Sequence, residues 1–191
     1  TADGLATWDG LSWRTARPTH VWGAAGTGVT DVACTAPGWC LALGSGRSAT
    51  WDGRAWRDQG PVPTAAGRVA CAGPAFCLAA PTSSTSPAVP LARWDGTGWH
   101  ALAVDAPRDD WRLNDLSCWA PDRCLLAGYH VARTTALRLP WLRRWDGTRL
   151  VPVALPPGGE VVSVSCPPAG PSARVTCATV GNRSIVALKG F

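Results

Sequence analysis

Ala49-Thr50-Trp51-Asp52-Gly53-Arg54-Ala55-Trp56 is the stretch on which the fold turns. It returns as Ala6-Thr7-Trp8-Asp9-Gly10-Leu11-Ser12-Trp13 and as Ala92-Arg93-Trp94-Asp95-Gly96-Thr97-Gly98-Trp99. A fourth copy, Arg143-Arg144-Trp145-Asp146-Gly147-Thr148-Arg149-Leu150, ends in leucine. The leading tryptophans stand at 8, 51, 94 and 145, spaced 43, 43 and 51 residues apart. Between them runs a second motif: a short β-branched stretch, Cys, a turn, Cys, then small residues. Its copies are Val32-Ala33-Cys34 to Cys40–Gly44, Val69-Ala70-Cys71 to Cys77–Ala80, and Leu116-Ser117-Cys118 to Cys124–Gly128. The last, Val164-Ser165-Cys166 to Cys177–Gly181, is degenerate. Self-similarity at this period marks a repeat architecture.

Each unit reads as four strands, A to D, exemplified by Val29–Cys34, Cys40–Gly44, Ser48–Trp51 and Ala55–Asp58. The runs are short, rich in Val, Thr, Leu and Trp, and bounded by Gly, Pro and Asp. Asp-Gly after each leading tryptophan signals a hairpin between C and D, because glycine accepts the positive φ such turns demand. No window sustains a period of 3.6, so helix should be nearly absent. Four-stranded antiparallel units at this spacing match the blades of a β-propeller. The chain opens in C and D (4–17) and finishes in A, B and part of C (160–191), so the N-terminal strands can complete the C-terminal blade. Closure in this way hides edges that would otherwise aggregate. The expectation is all-β: one four-bladed β-propeller domain over 1–191, with repeats at about 29–62, 68–103, 113–155 and 160–191 plus 4–17. An open or sandwich-like array is the alternative. Both Ala6-Thr7-Trp8 and Ile185-Val186-Ala187 resemble strand C, so one of them is surplus.

Eight cysteines pair most simply within the repeats: Cys34–Cys40, Cys71–Cys77, Cys118–Cys124 and Cys166–Cys177. Five residues separate most of these pairs. That exceeds ordinary zinc-ligand spacing, and the three histidines do not recur beside them, so no metal and no cofactor is expected. Disulfides imply an oxidising compartment, hence a secreted protein. The 46% hydrophobic and 16% charged composition excludes a disordered chain. No apolar run is long enough for a membrane span. Net charge is +5, but the arginines are dispersed and nucleic acid is not expected. The densest group is Arg133, Arg138, Arg143, Arg144 and Arg149. A monomer is expected.

The repeated tryptophan pairs serve either as wedges between blades or as sugar platforms. Trp22, Trp111 and Trp141 lie outside the repeat pattern and make better site candidates. Strand direction puts A–B and C–D turns on one rim, and B–C loops and D–A linkers on the other. The second rim carries the irregular segments, where function concentrates. Candidate ligand-binding residues there are His20, Trp22, Asp109, Trp111, Tyr129, His130 and Trp141. If strand A lines a channel, Asp31 and Asp115 face it, with Arg68 and Ser163 at the matching positions. No nucleophile elbow surrounds Ser45, and the histidines never fall in register with a nucleophile.

The combination Cys-x5-Cys-Leu-Ala-x-Gly with Trp-Asp-Gly-x-x-Trp resembles secreted repeat proteins of actinobacterial type, from Leu5 to Leu188. The tryptophan-rich units are more distantly similar to propeller lectins. That resemblance implies a β-propeller whose usual role is binding rather than catalysis. The leading expectation is therefore a secreted, non-catalytic recognition module that binds carbohydrate through rim aromatics. A protein-binding module, such as a protease inhibitor or adhesion domain using Tyr129–Arg143, is the alternative. A hydrolase stands third.

Overall fold

A computed structural model of the chain describes residues 5–8, 11–16, 28–84, 88–105, 110–132, 134–155, 160–168, 175–181 and 185–189. Strands β1 (Leu5–Trp8) and β2 (Trp13–Ala16) form a hairpin of their own. The first four-stranded sheet holds β3 (Val29–Ala36), β4 (Trp39–Gly44), β5 (Arg47–Trp51) and β6 (Trp56–Pro61), in chain order. The second holds β7 (Arg68–Gly73) and β8 (Phe76–Ala80), skips β9 (Ser83–Ser84), and continues with β10 (Ala88–Trp94) and β11 (Trp99–Asp105). The third holds β12 (Asp110–Ala120), β13 (Arg123–Val131), β14 (Arg138–Trp145) and β15 (Leu150–Pro152), with β9 added beside β12. The last has three strands, β16 (Val161–Ser165), β17 (Thr176–Gly181) and β18 (Ile185–Lys189). Every pairing is antiparallel, and no helix occurs among the described residues.

Each of the four larger sheets carries one disulfide linking its first two strands, with Cys166 directly after β16: Cys34–Cys40, Cys71–Cys77, Cys118–Cys124 and Cys166–Cys177. The tryptophan hairpins span four residues, with Trp51 opposite Trp56 and Trp94 opposite Trp99. Their Asp does more than favour a turn. One Asp52 carboxylate oxygen accepts the backbone N–H groups of Arg54 and Ala55, at 2.9 and 2.8 Å. Asp95 and Asp146 do the same for Thr97 and Gly98, and for Thr148 and Arg149. Gly53, Gly96 and Gly147 sit at φ of 90°, 98° and 97°, where a side chain would be strained.

The sheets stack face to face, and their first strands β3, β7, β12 and β16 lie side by side. Each junction has its own apolar cluster. Leu41 and Leu43 of the first sheet pack on Val69, Cys77, Ala79, Ala92 and Trp94 of the second. Leu78, Leu91 and Phe76 then meet Leu126, Trp111, Trp141 and Trp145 of the third. Leu125, Ala127, Leu142 and Trp119 meet Val164, Cys177 and Leu188 of the fourth. The first junction also holds a tryptophan pair. Trp94 and Trp99 (ring centroids 5.7 Å apart) belong to it, and the Trp99 indole N–H donates to Ser48 Oγ of the sheet before, at 2.8 Å.

The position three residues before the first cysteine turns sideways instead of toward a channel. Asp31 accepts from the backbone N–H of Val69 at 2.9 Å, and Arg68 Nε donates to the Asn114 carbonyl at 2.8 Å. Asp115 accepts from Ser163 Oγ at 2.6 Å and the Val164 N–H at 2.8 Å. These side chains staple each first strand to the next. Their identities vary because a donor, an acceptor or a hydroxyl each finds a partner on an exposed strand edge.

Candidate functional site

On the rim of B–C loops the third sheet outgrows the first and the fourth, and β10 and β11 of the second reach almost as far. Gly44 and Gly181 end β4 and β17, whereas β13 runs three residues beyond the matching Gly128, to Val131. Strands β12 and β14 lengthen with it, pairing Asp110 with Val131 and Val131 with Arg138. The extension reaches about 10 Å past the ends of β4 and β17 at ~3.4 Å per residue. Strand β10 begins at Ala88, six residues before Trp94, and so stops about one residue short of β14, which begins seven before Trp145. Gly128 permits this course: a Cβ there would lie 1.9 Å from the Arg112 carbonyl oxygen, where β12 bulges between Leu113 and Asp115. The glycine of the Cys-x-Ala-x-Gly motif has the same role in the first sheet, where a Cβ on Gly44 would stand 3.0 Å from the Gly28 carbonyl.

Residues directly opposite in an antiparallel pair share a face, so the extension has two distinct sides. On one, Trp111 stands opposite His130 and His130 opposite Leu139, with Trp141 opposite Gly128. Trp111 and Trp141 stack with centroids 5.8 Å apart and planes 9° from parallel. They are 0% and 2% exposed, sealed against the second sheet. The expectation that both offer open rings on the rim is therefore corrected: their faces are spent on each other and on the junction core. Neither indole N–H has a hydrogen-bond partner among the described residues. Above them the half-buried His130 and the exposed Leu139 and Leu137 (38% and 59%) carry this side outward.

On the other side Arg112 stands opposite Tyr129, and Tyr129 opposite Pro140. The Arg138 guanidinium lies over the Tyr129 ring, 4.7 Å from its centroid, and its Nη1 reaches Glu160 Oε2 at 3.1 Å. The fourth sheet buries this face only as far as Ala127 and Leu142, so Tyr129 is half-buried and Arg112 exposed. The free outer edge of β14 at this height is Pro140, which has no N–H for another strand to pair with.

His20, Trp22 and Asp109 lie outside the described residues. Of the other candidates, the structure gathers Trp111, His130 and Trp141 on one side of the extension and Tyr129 on the other. Residue patterning missed Arg112 and Arg138 beside Tyr129, and Glu160 as the partner of Arg138. The signal was the local density of arginine around 133–149, which does not tell which arginines share a face with the tyrosine. Among the described residues no group of three or more His, Cys, Asp or Glu side chains is placed to hold a metal ion. No helix among them is long and apolar enough to cross a membrane.

No family model and no curated protein matches the sequence. Among solved structures the chain is similar to PorZ, a bacterial surface component of the type-IX secretion system of Porphyromonas gingivalis. The likeness has a TM-score of 0.44 at 15% identity, covering 98% of this chain and 25% of that one. The chain thus spans about a quarter of the length of PorZ.

Proposed function

We propose that this chain is a secreted, non-catalytic recognition module that binds carbohydrate on the extended hairpin of its third sheet. The observation that carries this is the alignment of Arg112, Tyr129 and Arg138 on one face that the described residues of the fourth sheet cover only in part, held out by three paired strands. Such residues bind and orient a polar ligand, and a rigid sheet places them better than a loop would. Four disulfides fit the oxidising conditions met outside the cytoplasm.

The supporting scaffold is read as a four-bladed propeller in which β1 and β2 complete the sheet of β16–β18. Three features favour closure. Trp8 stands opposite Trp13 in the register of the other tryptophan hairpins. The outer edge of β18 has no strand partner among the described residues, and Val180 and Ile185, opposite each other on one face, are 43% and 78% exposed. The Trp56 indole N–H is buried without the hydroxyl partner that Trp99 finds in the sheet before it. Deleting residues 1–16 should then lower the denaturant midpoint, and an unchanged midpoint would remove the closure.

A second reading, protein binding, is favoured by Leu137 and Leu139, which are exposed at the hairpin tip. A glycan array followed by calorimetric titration separates the two. Sugar binding abolished by Tyr129→Ala supports the first. No sugar bound at millimolar concentration would sink it and leave the leucine tip as the contact.

A further inference from the structure

Resting on that carbohydrate reading, we propose that the Arg112–Tyr129–Arg138 face selects an acidic saccharide, gripping its carboxylate. Three strands bring the groups together. Arg112 on β12 stands directly opposite Tyr129 on β13, which places their Cβ atoms about 5 Å apart on one face. Arg138 on β14 shares that face, because it pairs with Val131, two residues along β13 from Tyr129. Both arginines therefore share the face of one phenol, with the Arg138 guanidinium over its ring.

Their charges are unequally engaged. Arg138 gives Nη1 to Glu160 and rests its plane on the Tyr129 ring, with its side chain still 61% exposed. That pair fixes the guanidinium and leaves its remaining N–H donors unassigned. Arg112 is exposed and makes no ion pair among the described residues. Asp110, two residues along β12, shares this face opposite Val131. An arginine held in place by a carboxylate and an aromatic ring, beside a second that makes no ion pair among the described residues, is a receptor for an anion. The planar fork suits the two oxygens of a carboxylate, and the phenolic O–H can bond a neighbouring ring hydroxyl. A neutral sugar would leave Arg112 without its counter-charge. The apolar Leu137–Leu139 side lies on the opposite face and takes no part.

The test is calorimetric titration of the intact, oxidised chain with uronate-containing oligosaccharides, their carboxyl methyl esters, neutral oligosaccharides of the same length, sulfated oligosaccharides and polyglutamate. The uronates should bind, and the esters at least tenfold more weakly. Arg112→Gln should weaken uronate binding tenfold or more with no change in the thermal midpoint. Arg54→Gln, an exposed arginine in the turn on the opposite rim, should bind as the unaltered chain does. Equal binding of acid and ester, tighter binding of sulfated than carboxylated sugar, polyglutamate binding as tightly as the uronates, or an unaffected Arg112→Gln would each overturn the inference. Neutral sugars binding as tightly as uronates would overturn it while leaving the carbohydrate reading intact. If no sugar of any kind binds, both fall.

Discussion

Asp115 concentrates more structural responsibility than any pattern of hydrophobicity would assign to it. One oxygen accepts the neighbouring Leu116 N–H at 2.8 Å, and the other takes Ser163 Oγ and the Val164 N–H across the junction. Removing the carboxylate leaves a strand N–H without a partner at a closely packed junction. Asp115→Ala should therefore destabilise the protein by about 1–3 kcal/mol in a urea titration, and Ser163→Ala by less, about 1 kcal/mol. The turn aspartates make a separate prediction. Backbone N–H groups, of Ala55 first for Asp52 and of Arg149 first for Asp146, hold both carboxyls at a pKa of about 2. The Asp95 carboxyl is held lower still, with the His100 ring as the largest cause and Thr97 and Gly98 adding to it. In an unfolded chain aspartate titrates near ~3.9. A depressed folded value gives stability that is complete above about pH 4 and fades as pH falls through about 2. The urea midpoint should decline across that window, and the Asp52→Asn, Asp146→Asn double variant should decline less steeply. A parallel decline in both proteins would refute the assignment. At this scale Asp-Gly was readable as a turn, but the carboxylate as a cap on two N–H groups was not, since that needs the four-residue loop in three dimensions.

Strand lengths decide where a ligand can be met. The glycine shared by the first, third and fourth copies of the second motif looked like an ordinary strand end. In the third sheet it is the point where β13 slips past the bulge in β12 and keeps going. Gly128→Ala would push a methyl into a backbone carbonyl, with no flexible side chain to give way. The expected cost is about 3 kcal/mol or more, the upper end for overpacking, together with lost ordering of the hairpin seen as broadened Tyr129 and His130 resonances. A variant as stable as the parent would mean that β12 does not approach so closely. The strands themselves were legible because alternation and turn residues act over a few residues. The extension was less so. Tyr129–Arg143 reads as an insertion of irregular sequence, and only cross-strand pairing shows that it continues the sheet. Trp111 and Trp141 show the same limit. Lying outside the repeated pattern, they suggested open platforms, yet a sheet that extends by three residues creates a new stretch of junction for large side chains to fill.

For the molecule as a whole, stability is divided among junctions and staples. A seven-residue disulfide loop contributes about 2.4 kcal/mol in the chain-entropy model, and the twelve-residue loop of Cys166–Cys177 about 2.8 kcal/mol. Replacing Cys71 and Cys77 together by serine should lower stability by about 2–5 kcal/mol. The loss should appear in a single transition with buried-tryptophan fluorescence, because that disulfide lies in the sheet between two apolar junctions. An early, separate transition confined to one sheet would show that the units melt independently. The all-β class and the cysteine partners follow from the amino-acid order, because a motif copied four times must form similar strands and bring its own two cysteines together each time. Which tryptophans are sealed, which aspartates reach across to the next sheet, and which arginines share a face with Tyr129 were decided only by tertiary structure. Those outcomes depend on the registers and bulges that bring distant strands together, and no spacing along the chain encodes the distance between two faces.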